Sequence, residues 1–511
     1  MKRGASLIIL IIVLSNFSFS QNRTSERNME YYIDNAPFKM ERVRLPNFPD
    51  KVFDITEYGA VADGQTLCTT AFSKAIEACS AVGGGKVVVT PGLYLTGPIK
   101  LESNINLEVQ RGALIIFTTD HSQYPMIPSS KGSSNIVAAS PIYGYDLNNI
   151  AITGEGIIDG AGESWRPVKK IKTTASQWKE LTASGAISKD GSVWWPTKEA
   201  MDGEDYLKQL KEKNKKPAAE ELIPARDFLR PYMLYLVNCR NILIQNVTIR
   251  NSPKFVFLPS NCNNLIMDHV NVFNEWYAQN GDGIDLSACK NAIIYMCNVS
   301  VGDDGICMKS SGNNPDRNIP ALANIIIAKC NVYRAHGGFV IGSNTDGGVQ
   351  NVYVADCNFV GTDIGIRIKS NAGRGGLVKQ IFIDNIFMRD ITNDAILFDT
   401  YYEDVPAGKE RIVSKAIREK TPEFTQFFIC NVYCNGAKNA ITVTGLPEMP
   451  VNNLHLNNVT ISSRNGVAIT DAADLDFKNV KNLDLKSCVL KINASTLIRA
   501  DNKTSGLKLD D

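Results

Sequence analysis

Four segments of the 511-residue sequence align on a shared glycine: Asp282-Gly-Ile-Asp-Leu-Ser, Asp304-Gly-Ile-Cys-Met-Lys-Ser, Gly337-Gly-Phe-Val-Ile-Gly-Ser and Ile364-Gly-Ile-Arg-Ile-Lys-Ser. If each is a strand in one coil of a stack, Gly283, Gly305, Gly338 and Gly365 fall on one rung. Side chains alternate along a strand, so Ile284, Ile306, Phe339 and Ile366 then point into a core, as do Leu286, Met308, Ile341 and Ile368. The other parity faces solvent and carries Asp285, Lys309, Arg367 and Lys369. Asp282 and Asp304 become neighbours about one strand spacing apart, and Asp303 lies level with His336. Three carboxylates that close repel one another unless one keeps its proton, so they divide into an acid and a base. Hydrolysis of a glycosidic bond needs that division: one carboxylic acid protonates the leaving oxygen while a carboxylate activates water or attacks carbon. The cations beside them can hold a negatively charged substrate group by charge-assisted hydrogen bonds.

A single Asp-Gly pair is ordinarily turn chemistry. Two in register, one of them doubled, with His336 and two or three cations on neighbouring rungs exceed what turns need. Two other classes remain open on the residues alone. Clustered carboxylates also suit Ca²⁺, so a β-helical lyase that eliminates across a uronate ring is an alternative. A non-catalytic adhesive β-helix is another, although adhesion gives no reason to collect acids, a histidine and cations on adjacent rungs.

The element that must position these residues is legible as a repeat. Asn241, Asn264, Asn291, Asn324, Asn351, Gln380, Gln426, Asn453 and Asn482 each lead a short apolar strand, and upstream Asn106 and Asn149 do the same. Six residues after the first nine leads stand Val247, Val270, Cys297, Cys330, Cys357, Ile386, Val432, Val459 and Cys488, small or branched apolar residues at one repeated position. The leads are separated by 23, 27, 33, 27, 29, 46, 27 and 29 residues, which centres on one coil of two or three short strands. Short, β-branched segments broken by Asn, Gly and Asp predict an all-β, single-domain right-handed parallel β-helix and not an α-solenoid. Thr70 to Ser80 reads as an amphipathic helix, with Phe72, Ala75, Ile76 and Cys79 on one face, that closes the N-terminal end of the stack. The exception is an insert at about 164–229, rich in Lys, Glu and Ala, partly helical, and holding four of the five tryptophans: Trp165, Trp178, Trp194 and Trp195.

Composition sets outer bounds. With 54 Lys+Arg against 53 Asp+Glu the net charge is +1, which gives no global pull toward nucleic acid or anionic lipid. Residues 1–20 have the layout of a secretory signal, with Lys2 and Arg3 before the apolar run Leu7 to Leu14 and small residues Ser18 and Ser20 before a cut near Gln21. No later stretch is long and apolar enough for a membrane helix. The expected organisation is a signal at 1–20, an N-terminal extension at 21–51 and a catalytic β-helix at 52–511. Export leads to the periplasm or the medium. Most of the 12 cysteines lie inside apolar strand patterns and are expected to pack as free thiols.

At the clustered residues the sequence resembles glycoside hydrolase family 28, the polygalacturonase-like pectinases. The family's ordered motifs Asn-x-Asp, Gly-Asp-Asp, Gly-His-Gly and Arg-Ile-Lys match Asn280-Gly281-Asp282, Gly302-Asp303-Asp304, Ala335-His336-Gly337 and Arg367-Ile368-Lys369. The similarity extends through Ile55-Thr-Glu-Tyr-Gly-Ala, Gly154-Glu-Gly-Ile-Ile-Asp-Gly and Asn251-Ser-Pro, roughly Val52 to Val489 in all. The resemblance implies that Asp303 is the general acid, that Asp282 and Asp304 activate water, and that the anomeric centre is inverted. It further implies that His336 assists, that Asn280, Arg367 and Lys369 bind a galacturonate of pectin or an oligogalacturonide, and that no cofactor or metal is required. A rhamnogalacturonan-type hydrolase is a further alternative. Ala335 stands where the family has its first glycine, and Gly281 where Thr is common. A monomer is expected. The insert, with its tryptophans and the Lys208 to Lys216 stretch, is expected to wall one end of the cleft and favour action from chain ends. Large aromatics, however, more often form the core of such an insert than stack on sugars.

Overall fold

The computed structural model describes residues 27–312, 316–403 and 420–482, with three short strands at 489–490, 498–500 and 508–509. The expected signal at 1–20 and Cys488 lie outside the described residues. Strands from successive coils pair in parallel, and one network joins 31 of them. A continuous register runs Ile242, Leu265, Ala292, Ile325, Val352, Ile381, Phe427 and Leu454. This is the expected parallel β-helix.

The Asn and Gln leads have a conformational cause. Each of Asn149, Asn241, Asn264, Asn291, Asn324, Asn351, Gln380, Gln426 and Asn453 has φ between 54° and 61°. Asparagine tolerates this left-handed region better than other residues with a Cβ. Its amide also serves as a rung of its own: Asn264 Nδ2 donates to Asn241 Oδ1 (3.2 Å), Asn324 to Asn291 (3.0 Å) and Asn351 to Asn324 (2.9 Å). Two leads differ from the sequence reading. Asn149 pairs with Asn104, not Asn106, since Ile150 is opposite Ile105 and Asn149 Nδ2 donates to Asn104 Oδ1. The coil after Asn453 begins at Asp474 (φ 53°), which puts Leu475 opposite Leu454 and leaves Asn482 at a strand end opposite Ile461. Aspartate enters the left-handed region too, so an Asp-led copy escapes a search for Asn.

The residues six places after the leads, from Val247 to Val459, are buried in one long core. Eleven cysteines in the described residues are free thiols, and ten of them are buried. The helix Thr69–Ala81 turns Ala71, Phe72, Ala75, Ile76 and Cys79 into that core and covers the N-terminal end of the ladder. Residues 29–48 run along the outside of one sheet. There Met29, Val43 and Phe48 cover Ala151, Leu243 and Ile266, and Tyr32 packs with Ile293, Tyr295 and Ile326, which removes an otherwise exposed apolar row from water.

Between residues 164 and 229 lie a three-stranded antiparallel sheet (Val168–Lys169, Ala186–Ile187, Val193–Trp195) and the helices Ala175–Leu181 and Lys198–Lys213. Trp165 is buried and stacks on His121 at 3.5 Å between ring centroids. Trp194 is buried with its Nε1 donating to Ser184 O at 2.7 Å. Trp194 therefore holds the insert together, and Trp165 ties its root to the coil that carries His121. Lys208 lies on the exposed side of the long helix, paired with Glu204 one turn earlier at 2.9 Å, and is a solvated helix face.

Candidate active site

The glycine rung forms because no side chain fits there. A Cβ on Gly283 would lie 2.6 Å from Gly305 O, and one on Gly338 would lie 2.4 Å from the Phe359 ring. The adjoining strands Ile284–Ser287, Asp304–Lys309, Gly337–Ile341 and Ile366–Lys369 then stack with Ile284, Ile306, Phe339 and Ile366 in line. Those four, and Leu286, Met308, Ile341 and Ile368, are all buried in the core. Asp304 pairs with Gly337, which places Asp303 beside His336.

One carboxylate oxygen each from Asp282, Asp303 and Asp304 lie within 4.8 Å of one another. Lys369 Nζ is 2.8 Å from Asp304 Oδ2, and Arg367 Nη1 is 3.2 Å from Asp304 Oδ1. Lys309 Nζ is 3.1 Å from Asp282 Oδ2 and 3.0 Å from Asp285 Oδ1. Asp303 Oδ1 accepts from the Asp304 backbone N–H at 3.0 Å and stands 3.2 Å from His336 Nδ1. Its side chain is 19% exposed, against 5% for Asp282 and 3% for Asp304, so Asp303 is the most open of the three.

The outward row is therefore not a solvent face. Asp285 is fully buried and Lys369 nearly so. The Tyr402 ring lies 4.7 Å from Lys369 Nζ and 5.4 Å from the Arg367 guanidinium carbon, and the Phe255 ring lies 5.0 Å from Lys309 Nζ. Alternation gave the correct parity, but aromatics from other coils and compensating charge cover it. Pairing permits that burial, since an isolated buried charge costs far more than a paired one.

The electrostatics split the carboxylates. Burial raises Asp282 well above the usual carboxylate range, Asp285 adds to the rise, and Lys309 only partly opposes it. Asp285 is pushed up to about 6, by burial first and against the pull of Lys309. Burial acts on Asp304 in the same direction, yet Lys369, Arg367 and Lys309 together outweigh it and hold Asp304 well below the usual range. One edge of the cluster thus favours a proton and the other a charge. The same ammonium and guanidinium groups answer the calcium alternative. The three aspartates share their space with Lys309, Arg367 and Lys369 at contact distance, so the set does not fit a divalent cation.

Asn280 sits with φ 51°, and its Oδ1 accepts from Arg230 Nη2 at 2.9 Å. A Cβ on Gly281 would fall 2.8 Å from the Ala278 Cβ, so this loop admits no side chain where the family's Thr is common. Several cleft residues escaped the sequence reading. Strand alternation puts Lys309 and Asp285 on the correct face but gives them no role. Arg230, Lys254, Trp276 and Tyr402 come from loops whose partners only the coil stacking reveals. Lys172 reaches in from the insert, with Nζ 3.5 Å from His336 Nε2 and 3.4 Å from Gly302 O. Beside it opens a cavity of about 470 Å³, lined by Trp276, Arg334, His336 and Asp363 among others. Trp276, the one tryptophan outside the insert, is 47% exposed there.

The model of the family described as glycosyl hydrolases family 28 matches residues 168–463, more than half of the chain. This chain belongs to that family. Among its relatives, a probable polygalacturonase of Vitis vinifera is 28% identical over 346 residues, covering 66% of this chain and 60% of its own length. The exo-poly-alpha-D-galacturonosidase of Dickeya chrysanthemi is 27% identical over 480 residues, 89% of this chain and 75% of its own. The crystal structure of a hyperthermoactive exopolygalacturonase from Thermotoga maritima is similar with a TM-score of 0.72 at 28% identity, covering 89% of this chain and 95% of that one. As a family 28 member the chain is a glycoside hydrolase. Its four matched motifs converge on the carboxylate cluster.

Proposed function

We propose that this hydrolase cleaves the α-glycosidic bonds between galacturonic acid units of pectin. The carrying observation is the split within one cluster: Asp304 is held ionised by Lys369 and Arg367, while Asp282 and Asp285 favour a proton. Asp303, the most open carboxyl, gives its proton to the leaving oxygen, with His336 at 3.2 Å orienting it. Asp304 takes a proton from the water that attacks the anomeric carbon. The water oxygen forms the new bond as the carbon–oxygen bond to the leaving sugar breaks. Asp282, with an oxygen within 4.8 Å of one from each of the other two aspartates, holds that water from the other side. Arg367 and Lys369 spend part of their charge on Asp304, and their remaining donors face a uronate carboxylate.

The spacing raises a second stereochemical reading. Oxygens within 4.8 Å would also suit a double displacement with retention. Both oxygens of Asp304 are engaged by cations, however, which suits a base more than a nucleophile. Inversion is therefore the reading favoured, and NMR of the first-formed anomer decides it. Incubation with polygalacturonate in EDTA tests the activity itself: saturated reducing sugars support it, and unsaturated products would assign a lyase.

Action from chain ends is the second part of this proposal. It is supported by the insert's contact with the cleft through Lys172 and by the exo-acting relatives named above. Export to the periplasm or medium, proposed from residues 1–20, and a monomeric state complete the reading; fractionation of cells and size-exclusion chromatography test them.

A further inference from the structure

Three cations of the cleft are engaged by its carboxylates, while Lys254 and Arg230, on the Asp282 side, are not. Lys309 pairs with Asp282 and Asp285, and Arg367 and Lys369 pair with Asp304. Among the described residues no carboxylate lies within ion-pair distance of Lys254 or Arg230. Lys254 Nζ rests over the Tyr232 ring at 5.1 Å and the Phe255 ring at 5.9 Å. Arg230 donates to Gln279 O at 2.8 Å and to Asn280 Oδ1 at 2.9 Å, and its buried Nε has no partner. With only the more distant Asp282 to offset these two half-buried cations, their retention points to a ligand that brings the missing negative charge.

Register fixes where that ligand lies. Phe257 pairs with Ile284 and Leu234 with Phe257. Lys254 is therefore one coil before Gly281 and Asp282, and Arg230 one coil earlier again. Arg367 and Lys369 lie on the far side of the acids, on the strand that follows Gly337–Ile341 in the stack. The insert leaves the chain near residue 164 and returns one residue before Arg230, so its return is joined directly to Arg230. Within the insert's first turn, Arg166 donates to Ser252 O and, at 3.0 Å, to Asn251 Oδ1, which fixes the loop that presents Lys254.

We propose that Lys254 and Arg230 form a second uronate site at the insert-closed end of the cleft, binding the carboxylate of a sugar on the Asp282 side of the scissile bond. This rests on the galacturonan reading above. The end sugar of the chain is held by its charge, and the polymer extends away past Lys369. Lys254 is also the titratable part of the site. Burial and neighbouring Arg230 lower its ammonium to about 8, with Asp282 opposing. Tyr232 and, across Phe255, Lys309 are the other ionisable groups around it.

The test separates binding from turnover. In an Asp303→Asn background, calorimetric titration with trigalacturonate should weaken about tenfold or more when Lys254→Met is added, and Lys254→Arg should restore most of the loss. The fully methyl-esterified trimer, the same sugar without charge, should bind both backgrounds alike. Equal affinity of the Lys254→Met protein for the acid trimer, or an equal loss with the ester, overturns the site. Should Lys254→Met fail to fold, pH replaces it: affinity for the acid trimer falls as pH rises through about 8 with Lys254, and does not with Lys254→Arg. Identical pH profiles overturn the proposal. A wild-type protein that leaves polygalacturonate uncut refutes the galacturonan reading separately, because these titrations need no turnover.

Discussion

Replacing Lys369 by methionine distinguishes a counter-charge from a substrate clamp. The ammonium is 2.8 Å from Asp304 Oδ2, with side chains 5% and 3% exposed, so the pair is buried and its removal leaves Asp304 with Arg367 alone at 3.2 Å. Breaking a buried pair from one side costs about 3–5 kcal/mol, well above the effect of an exposed pair. The sign with pH follows from Asp304. Its folded-state affinity for protons is lowered, so its contribution to stability is complete above the unfolded carboxyl range and is lost only as pH falls through the folded value. Without Lys369 the folded value rises, so on acidification the folded variant takes up a proton earlier than the wild type does, which relieves part of the uncompensated charge. Denaturant midpoints at pH 7 and pH 4 should therefore show a large loss at pH 7 and a smaller one at pH 4. The acid limb of kcat should move to higher pH, because Asp304 is protonated sooner. Lys369→Arg should recover much of both. A methionine variant with wild-type stability at pH 7, and a loss confined to KM, would refute the counter-charge argument and return Lys369 to the role of a plain uronate clamp.

Asp303→Asn should lose turnover on the order of 10²-fold or more while binding oligogalacturonide, and near wild-type kcat in a folded variant removes it as the acid. Asp285→Asn deletes a charge that raises Asp282, so the cluster should give up its proton at lower pH and the alkaline limb of kcat/KM should shift down; an unmoved limb disconnects Asp285 from the cluster. Trp276→Ala should raise KM for long substrates several-fold if its exposed ring stacks on a pyranose, and an unchanged KM removes the ring from substrate binding. Products from long polygalacturonate, sampled early, should be monomer or one short oligomer with little fall in viscosity; a spread of oligomers with rapid thinning means an open cleft.

The repeat was legible because one conformational requirement recurs. Every coil needs a left-handed residue at the same corner, and asparagine meets it while adding an amide to the ladder. The two misread leads have the same root. Asn104 and Asn106 lie two residues apart, which preserves side-chain parity and leaves the apolar pattern unable to choose between them. Asp474 meets the corner requirement with a different residue type.

The carboxylate cluster was legible for a related reason. Period two and a shared glycine determine which side chains stand next to one another across coils, and that is a local property of each strand. Burial of the outward row was not, because it depends on Tyr402 and Phe255 arriving from other coils. The chemistry follows from that hidden part. An exposed row of aspartates and lysines would titrate nearly as separate groups in high dielectric. Under the aromatic cover the same residues interact strongly, and the unequal share of cations sends Asp282 and Asp304 in opposite directions. A parity argument can bring an acid and a base together, but only the covering residues decide which carboxyl becomes which.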